Sequence, residues 1–325
     1  MLNSMSGKLQ VITPADRPTL ASVKNGVFSG GGAKGVAYSK VLEFLEANNV
    51  KFKNVAGASA GAITAYLIAL GYSAKEVAQI LAEKNLGDFL DSKIPLQRVI
   101  EDPLILVGPE GLLKGWPLIL LNDLLRYWGI CNGRAIKGWF RDLAIAKGFD
   151  PAITFKQLYD KTGIGLYVIN CNVSRAKYVI RSWEHSPDFS VVLAIRTSMS
   201  IPFAFAPEHI DGEVFVDGGT TNNMPIGLFD DLGYAPNETV GFMTSIEAEV
   251  ITPPAVYFKN VVGFLGRLYS TFSNTSYDAM IKAGNANRII FIDPKDVGTL
   301  EFVIPPKKLE DILQSATKAC EAFFK

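Results

Sequence analysis

Two short stretches carry residue types that could do chemistry. Gly57-Ala58-Ser59-Ala60-Gly61 puts a serine between small residues at G-x-S-x-G spacing, and Gly30-Gly31-Gly32-Ala33-Lys34-Gly35 sets four glycines and a lysine at the end of an apolar run. The first spacing suits a nucleophile elbow, in which a sharp strand-to-helix turn pushes the serine hydroxyl out of the sheet edge. Its helix amino end favours the negative charge that develops on attack. A serine at that place also serves as an ordinary helix cap. Four glycines in six positions cost backbone entropy, so the loop needs bare backbone close to something. Backbone N–H groups of Gly30, Gly31 and Gly32 facing the carbon attacked by Ser59 would form an oxyanion hole, where one donor is worth about 3 kcal/mol of transition-state stabilisation.

Other uses of the glycine loop fit less well. Gly30-x-Gly32-x-x-Gly35 matches the dinucleotide fingerprint, but the next strand ends in Ala56-Gly57-Ala58-Ser59 without the acidic residue that should hold a ribose. Lys34 precedes Gly35 and Val36, whereas a P-loop lysine follows its glycine and precedes Ser or Thr. Lys34 is placed either to approach a phosphate or to hold the loop through a carboxylate.

A serine nucleophile needs a base. The chain has only two histidines, His185 in a polar turn-like stretch and His209 before a short apolar run. Neither follows the serine in the order and setting of an ordinary hydrolase triad. Asp217, at the end of Val214-Phe215-Val216-Asp217-Gly218-Gly219, is the better candidate, because it closes an apolar strand at a permissive loop edge. A Ser59–Asp217 dyad would answer the histidine shortage. Asp211, in Ile210-Asp211-Gly212-Glu213, reads instead as a hairpin turn.

These residues need a scaffold. Strand, helix, strand, helix within residues 26–74 implies a parallel sheet with helices packed on it. The pattern predicts strands near 26–29, 52–57, 165–173, 176–183, 214–217, 238–245 and 287–293. Helices are expected over 33–49, 59–71, 75–85, 117–130, 132–148, 190–200, 259–284 and 307–325, with irregular chain over 91–113. The expected architecture is a three-layer α/β/α sandwich around a central, mostly parallel sheet. An N-terminal extension, 1–25, precedes one catalytic domain, 26–325, interrupted by a helical excursion at about 75–150.

Composition narrows the class. Thirty-two basic residues balance 32 acidic ones in 325, so no bulk charge draws the chain to nucleic acid. Cys131, Cys171 and Cys320 are odd in number and widely spaced, which reads as reduced and buried, with no metal or cofactor motif. The N-terminus lacks the apolar core of a secretory signal. Val55 to Ala74 is uncharged, but its glycine turn and small residues favour a strand end and a buried helix over a membrane span. The expectation is a cytoplasmic protein, with export by a signal-independent route or peripheral membrane contact as alternatives. Residues 111–130 and 256–269 mix Leu, Phe, Trp or Tyr with basic residues in the manner of interfacial helices. The leucines and tryptophans of 112–128 are expected to form a lid or apolar wall, or to serve as core anchors.

The motifs occur together in one order: Gly30–Gly35, Gly57–Gly61, Ser198-Met199-Ser200-Ile201-Pro202, Phe205-Ala206-Pro207, Val216–Gly219 and Asn223-Met224-Pro225. This resembles the patatin-like phospholipase family over roughly residues 26–230. The resemblance implies a Ser59–Asp217 dyad, an oxyanion hole from the glycine loop, no cofactor, and acyl esters of phospholipids, lysophospholipids or neutral lipids as substrates. Acyl transfer from Ser59 to an acceptor, and a catalytically silent interaction protein, are the alternatives. An activating partner and the oligomeric state are not read from the sequence.

Overall fold

The computed structural model describes residues 16–84, 86–247, 249, 261–282, 284–299, 301 and 303–325. Strand β1 (Asn25–Phe28) leads through a 3-10 turn (Gly32–Ala37) into α1 (Tyr38–Ala47), and β2 (Asn54–Gly57) leads into α2 (Ala60–Ala69). Helix α3 (Ala74–Glu83) starts on a capping box in which Ser73 and Glu76 satisfy each other's backbone N–H groups. Three short helices follow, α4 (Leu96–Glu101), a 3-10 turn (Pro103–Leu106) and α5 (Pro109–Leu113), where the sequence pattern predicts irregular chain. The prolines explain the difference, since Pro103 and Pro109 occupy first-turn positions where a missing N–H costs nothing. Next come α6 (Trp116–Tyr127), β3 (Gly129–Cys131), α7 (Arg134–Ala146), α8 (Phe155–Thr162), β4 (Gly165–Asn172), β5 (Lys177–Arg181) and α9 (Val191–Ser198). The chain continues through β6 (Phe203–Phe205), β7 (Glu208–Ile210), β8 (Glu213–Asp217), α10 (Leu228–Asp231) and β9 (Thr239–Met243). Helix α11 (Val261–Lys282), β10 (Ile289–Phe291) and α12 (Pro306–Phe323) complete it.

The main sheet runs β10-β9-β1-β2-β4-β8-β7, with β5 also on β4. The run from β10 to β4 is parallel, while β5 and β8 are antiparallel to β4. Successive strand residues face opposite sides. Phe28, Val55, Leu166, Val168, Val240 and Phe242 join the helices of one layer in one buried cluster. Val27, Ala56, Tyr167 and Ile289 pack on the other side with Phe229 of α10 and Tyr277 and Met280 of α11. Two cores on one sheet make the three-layer α/β/α architecture. Among the described residues, no helix is long and apolar enough to cross a membrane; the uncharged run after Val55 is a strand end and the buried helix α2.

Strand β4 acts as a ruler for the site. Gly57 lies opposite Val168, and two residues further along β4, Asn170 lies opposite Asp217 of the antiparallel β8. Ser59, two residues beyond Gly57, is thereby carried to the level of Asp217. Phe28 lies opposite Gly57, so the glycine loop leaves the same edge. The predicted Asp211 hairpin is present, with both Asp211 (φ 52°) and Gly212 (φ 78°) in the left-handed region that such a turn requires.

Candidate active site

Ser59 sits at φ 51°, ψ −128°, in the half of backbone space that residues with a Cβ avoid. The turn is held there by close packing. A Cβ on Gly61 would lie 2.1 Å from the Phe28 carbonyl oxygen, and one on Gly57 would lie 2.3 Å from Gly61 backbone. The elbow is also braced from α9: the Ser59 N–H donates to Ser198 Oγ (3.0 Å), which donates to the Ile169 carbonyl (2.7 Å). Such strain persists only where the surroundings over-determine it.

Asp217 closes β8, with its N–H donating to the Ser200 carbonyl at 2.9 Å. Its Oδ1 accepts from the Gly219 N–H (2.7 Å) and from the Tyr269 hydroxyl (3.1 Å). Its Oδ2 is buried without a hydrogen-bond partner. Burial pushes the carboxyl up to about 7, against the opposing pull of Ser59, Gly219 and Tyr269. The Ser59 hydroxyl is thus near enough to hold the aspartate charge, yet its directed contact is a weak one to Met199 Sδ at 4.0 Å. Oδ2 is left unpartnered, so the serine proton is not committed to it in this conformation. Both groups are closed from solvent, Ser59 1% and Asp217 0% exposed.

The glycine loop meets the site from β1. The Gly30 N–H donates to Asn223 Oδ1 at 3.0 Å, and Asn223 Nδ2 donates to the Gly30 carbonyl at 3.2 Å. Gly30 therefore anchors the loop through an amide already engaged by Asn223. Gly32 has φ 58°, and a Cβ there would strike the Thr299 carbonyl at 2.0 Å. Asn223 was visible in the sequence only as part of a motif; its clamp on Gly30 joins residues 193 positions apart. Lys34 is half-buried, and burial lowers its pKa while Glu249 opposes that shift.

Neither histidine stands at the site. His185 is exposed, its Nδ1 2.8 Å from Ser182 Oγ, and His209 is exposed against the Trp128 ring. The buried Arg196 of α9 does a different task. Its guanidinium donates to the carbonyls of Asn132, Gly133 and Ala206 and to Ser200 Oγ, with Glu208 at 3.6 Å. It ties the loop carrying Met199 and Ser200 to the two-stranded sheet β3–β6, and no local pattern announces that role.

An apolar cavity of about 50 Å³ runs from Gly32 and Ala60 between Val36, Ile63, Leu67, Leu81 and Trp139. Leu81 and Trp139, which line it, belong to the 75–150 excursion. Of the leucines and tryptophans of 112–128, expected as a lid or wall or as core anchors, none lines this cavity. Trp116 is buried with Ile94 and Val99, while Leu113, Leu118, Leu121, Leu125 and Trp128 are exposed. The second proposed interfacial segment lies partly outside the described residues; Phe264, in its described part, is exposed. Among the described residues, no cluster of His, Cys, Asp and Glu could hold a metal ion.

A strained elbow serine, a buried acid level with it and a glycine loop on one edge of a parallel sheet define an α/β acyl-hydrolase type of protein. Residues 26–230 match the patatin-like phospholipase family, and the chain belongs to that family of lipid hydrolases. It is 28% identical over 313 residues to the uncharacterized protein YqhO of Bacillus subtilis (strain 168), covering 93% of this chain and 98% of that one. It is 26% identical over 202 residues to the probable lipid hydrolase 463L of Invertebrate iridescent virus 6, covering 62% and 61% of the two chains. Among solved structures, VipD from Legionella pneumophila shares the fold with a TM-score of 0.59 at 19% identity, over 93% of this chain and 67% of that one.

Proposed function

We propose that this lipid hydrolase cleaves the acyl esters of phospholipids or lysophospholipids with Ser59 as nucleophile and Asp217 as its base. The observation that carries the reading is the pairing of a strained Ser59 with a buried Asp217 whose Oδ2 has no partner. A base with a pKa near 7 is suited to proton transfer at neutral pH. A rotation of the Ser59 hydroxyl toward Oδ2 lets Asp217 take the proton as Oγ attacks the ester carbonyl. The Gly31 and Gly32 amides receive the oxyanion. Asp217 returns the proton to the leaving alkoxide, takes one from the water that attacks the acyl-enzyme, and gives it to Ser59 Oγ as the Oγ–acyl bond breaks and the fatty acid leaves.

The cavity beside Ala60 is the proposed entry for the acyl chain; at about 50 Å³ it takes the first methylenes and must widen for a long chain. Lys34 is half-buried beside the loop with Glu249 as counter-charge, which supports the loop-holding role over headgroup recognition. The exposed stripe Leu118, Leu121 and Leu125, with Tyr127, Trp128 and Arg126 at its end, supports α6 as the face that meets a lipid aggregate. Contacts from α11 and α12 to the glycine loop and the Asp217 loop support reading residues 26–325 as one catalytic unit.

The test is lipid product analysis with mixed phospholipid, lysophospholipid and triacylglycerol, using Ser59→Ala as the blank. Ser59-dependent fatty acid together with lysophospholipid is the expected result. Release from triacylglycerol alone overturns the phospholipid assignment, and release that survives Ser59→Ala overturns the nucleophile.

A further inference from the structure

The family match ends at residue 230, yet helix α11, beginning at Val261, reaches into the site. Tyr269, Ser273 and Tyr277 recur at one-turn intervals and so share a helix face. The Tyr269 hydroxyl donates to Asp217 Oδ1 at 3.1 Å. Tyr277 hydrogen-bonds the Asn223 side-chain amide, which clamps Gly30. Tyr277 is buried and Tyr269 partly so, and burial pushes the pKa values of both phenols up. One helix face thus touches the acid on β8 and, through Asn223, the loop on β1.

We propose that Tyr269 is a positioning residue for Asp217, fixing the carboxylate so that Oδ2 alone is presented to Ser59. This rests on the Ser59–Asp217 reading above. A carboxylate oxygen that accepts two hydrogen bonds is the less basic of the pair, and Oδ1 accepts from both Gly219 N–H and Tyr269 while Oδ2 accepts from neither. The arrangement also accounts for the second glycine of Asp217-Gly218-Gly219. A Cβ on Gly219 would lie 2.7 Å from the Tyr269 hydroxyl and 3.0 Å from Asp217 Oδ1, displacing the phenol. The ionisable groups that face Asp217 are Cys171 from β4 and Tyr269 and Tyr277 from α11, and burial keeps the thiol neutral as well. Arg196 of α9 is directed at the carbonyls of Asn132, Gly133 and Ala206 instead. Among the described residues, the titration beside Ser59 near neutral pH is therefore that of Asp217, with Tyr269 favouring its charged form.

The experiment compares wild type, Tyr269→Phe and Tyr277→Phe on a short-chain p-nitrophenyl ester, read at the phenol–phenolate isosbestic wavelength across pH. Removing a donor from the charged form raises the carboxyl pKa. Tyr269→Phe is expected to move the acid limb of kcat/KM upward by about one pH unit and to lower kcat at neutral pH roughly tenfold, for one lost hydrogen bond to a charged group. Tyr277→Phe, which reaches the loop through Asn223 and loses no hydrogen bond to the acid, is expected to slow turnover with the limb unmoved. A Tyr269→Phe limb that stays in place, with activity normal or merely reduced, overturns the positioning role. Should Tyr269→Phe fail to fold, difluorotyrosine incorporated at 269, a stronger donor, must move the limb downward, and an unmoved limb refutes the proposal equally. Asp217→Asn separates the two claims. Full activity in that variant removes the dyad and this inference together, whereas an inactive Asp217→Asn with an unmoved Tyr269→Phe limb removes this inference alone.

Discussion

Burying Asp217 should cost the protein stability, and the cost can be measured. Its carboxyl rises from 3.8 to about 7, chiefly through desolvation. The folded state then binds more protons than the unfolded chain between those values, so stability falls as pH rises through that window. The relative stabilisation is complete below about pH 3.8 and lost once pH passes about 7. Three pKa units correspond to about 4 kcal/mol. Asp217→Asn removes the charge while keeping the shape, but places an amide NH2 where Oδ2 now has no partner, at a cost of about 1–3 kcal/mol. The absolute gain at neutral pH is therefore about 1–3 kcal/mol. The pH dependence is cleaner, because the unpaired amide costs the same at every pH. From about pH 5 to about pH 8 the variant should gain about 2.5 kcal/mol over wild type by the linkage relation. For 325 residues at about 2.1 cal/mol/K each, that is roughly 4 °C in relative Tm. Paired thermal melts across this range make the assay. A Tm difference that does not change with pH would refute the raised pKa, and with it the account of how Asp217 serves as a base at neutrality.

Other outcomes follow from the same geometry. Wild-type kcat/KM should fall as pH drops below about 7, because protonated Asp217 cannot accept the serine proton; a profile flat to about pH 5 contradicts this. Ser59→Gly should abolish turnover while raising stability by about 1 kcal/mol as the strained φ is relieved, which chemical denaturation would detect. Gly61→Ala should destabilise the fold by several kcal/mol, on the order of a severe core substitution, since its Cβ meets the Phe28 carbonyl; a soluble, active variant with an unchanged midpoint would be inconsistent. His185→Ala and His209→Ala should retain activity within about twofold, as exposed residues remote from the dyad do. Trp139→Ala should widen the cavity beside Ala60 and shift preference toward longer acyl esters in a chain-length series; an unchanged series would move the acyl chain elsewhere.

The parts of the site made by local chain were legible in the sequence. Gly57 to Gly61 had to be a tight turn between an apolar strand and a helix, and the structure adds the contacts that enforce it. The Asp211-Gly212 hairpin was equally local. Other parts depend on contacts far apart in sequence. Asn223 and Tyr269 meet Gly30 and Asp217 across 193 and 52 positions, and a tyrosine at helical phase reads the same whether it packs in a core or holds a carboxylate. The short helices between 96 and 113 were obscured by prolines that start helices as readily as they end them. The three-residue strands β3 and β6 are too short to show alternation. The leucines of α6 show helical periodicity, but periodicity does not say which face is buried; here Leu118, Leu121 and Leu125 point outward. The assignment of Gly30 as an oxyanion donor was narrowed by a side chain, Asn223, that already occupies its amide.

The most direct test of the central claim is mass mapping of the adduct formed with a serine-reactive fluorophosphonate. The account predicts one modified residue, Ser59, in wild type, no labelling in Ser59→Ala, and labelling slowed at least tenfold in Asp217→Asn for want of a base. An adduct on another serine, or an ester-hydrolysing preparation whose Ser59 peptide remains unmodified, would contradict it.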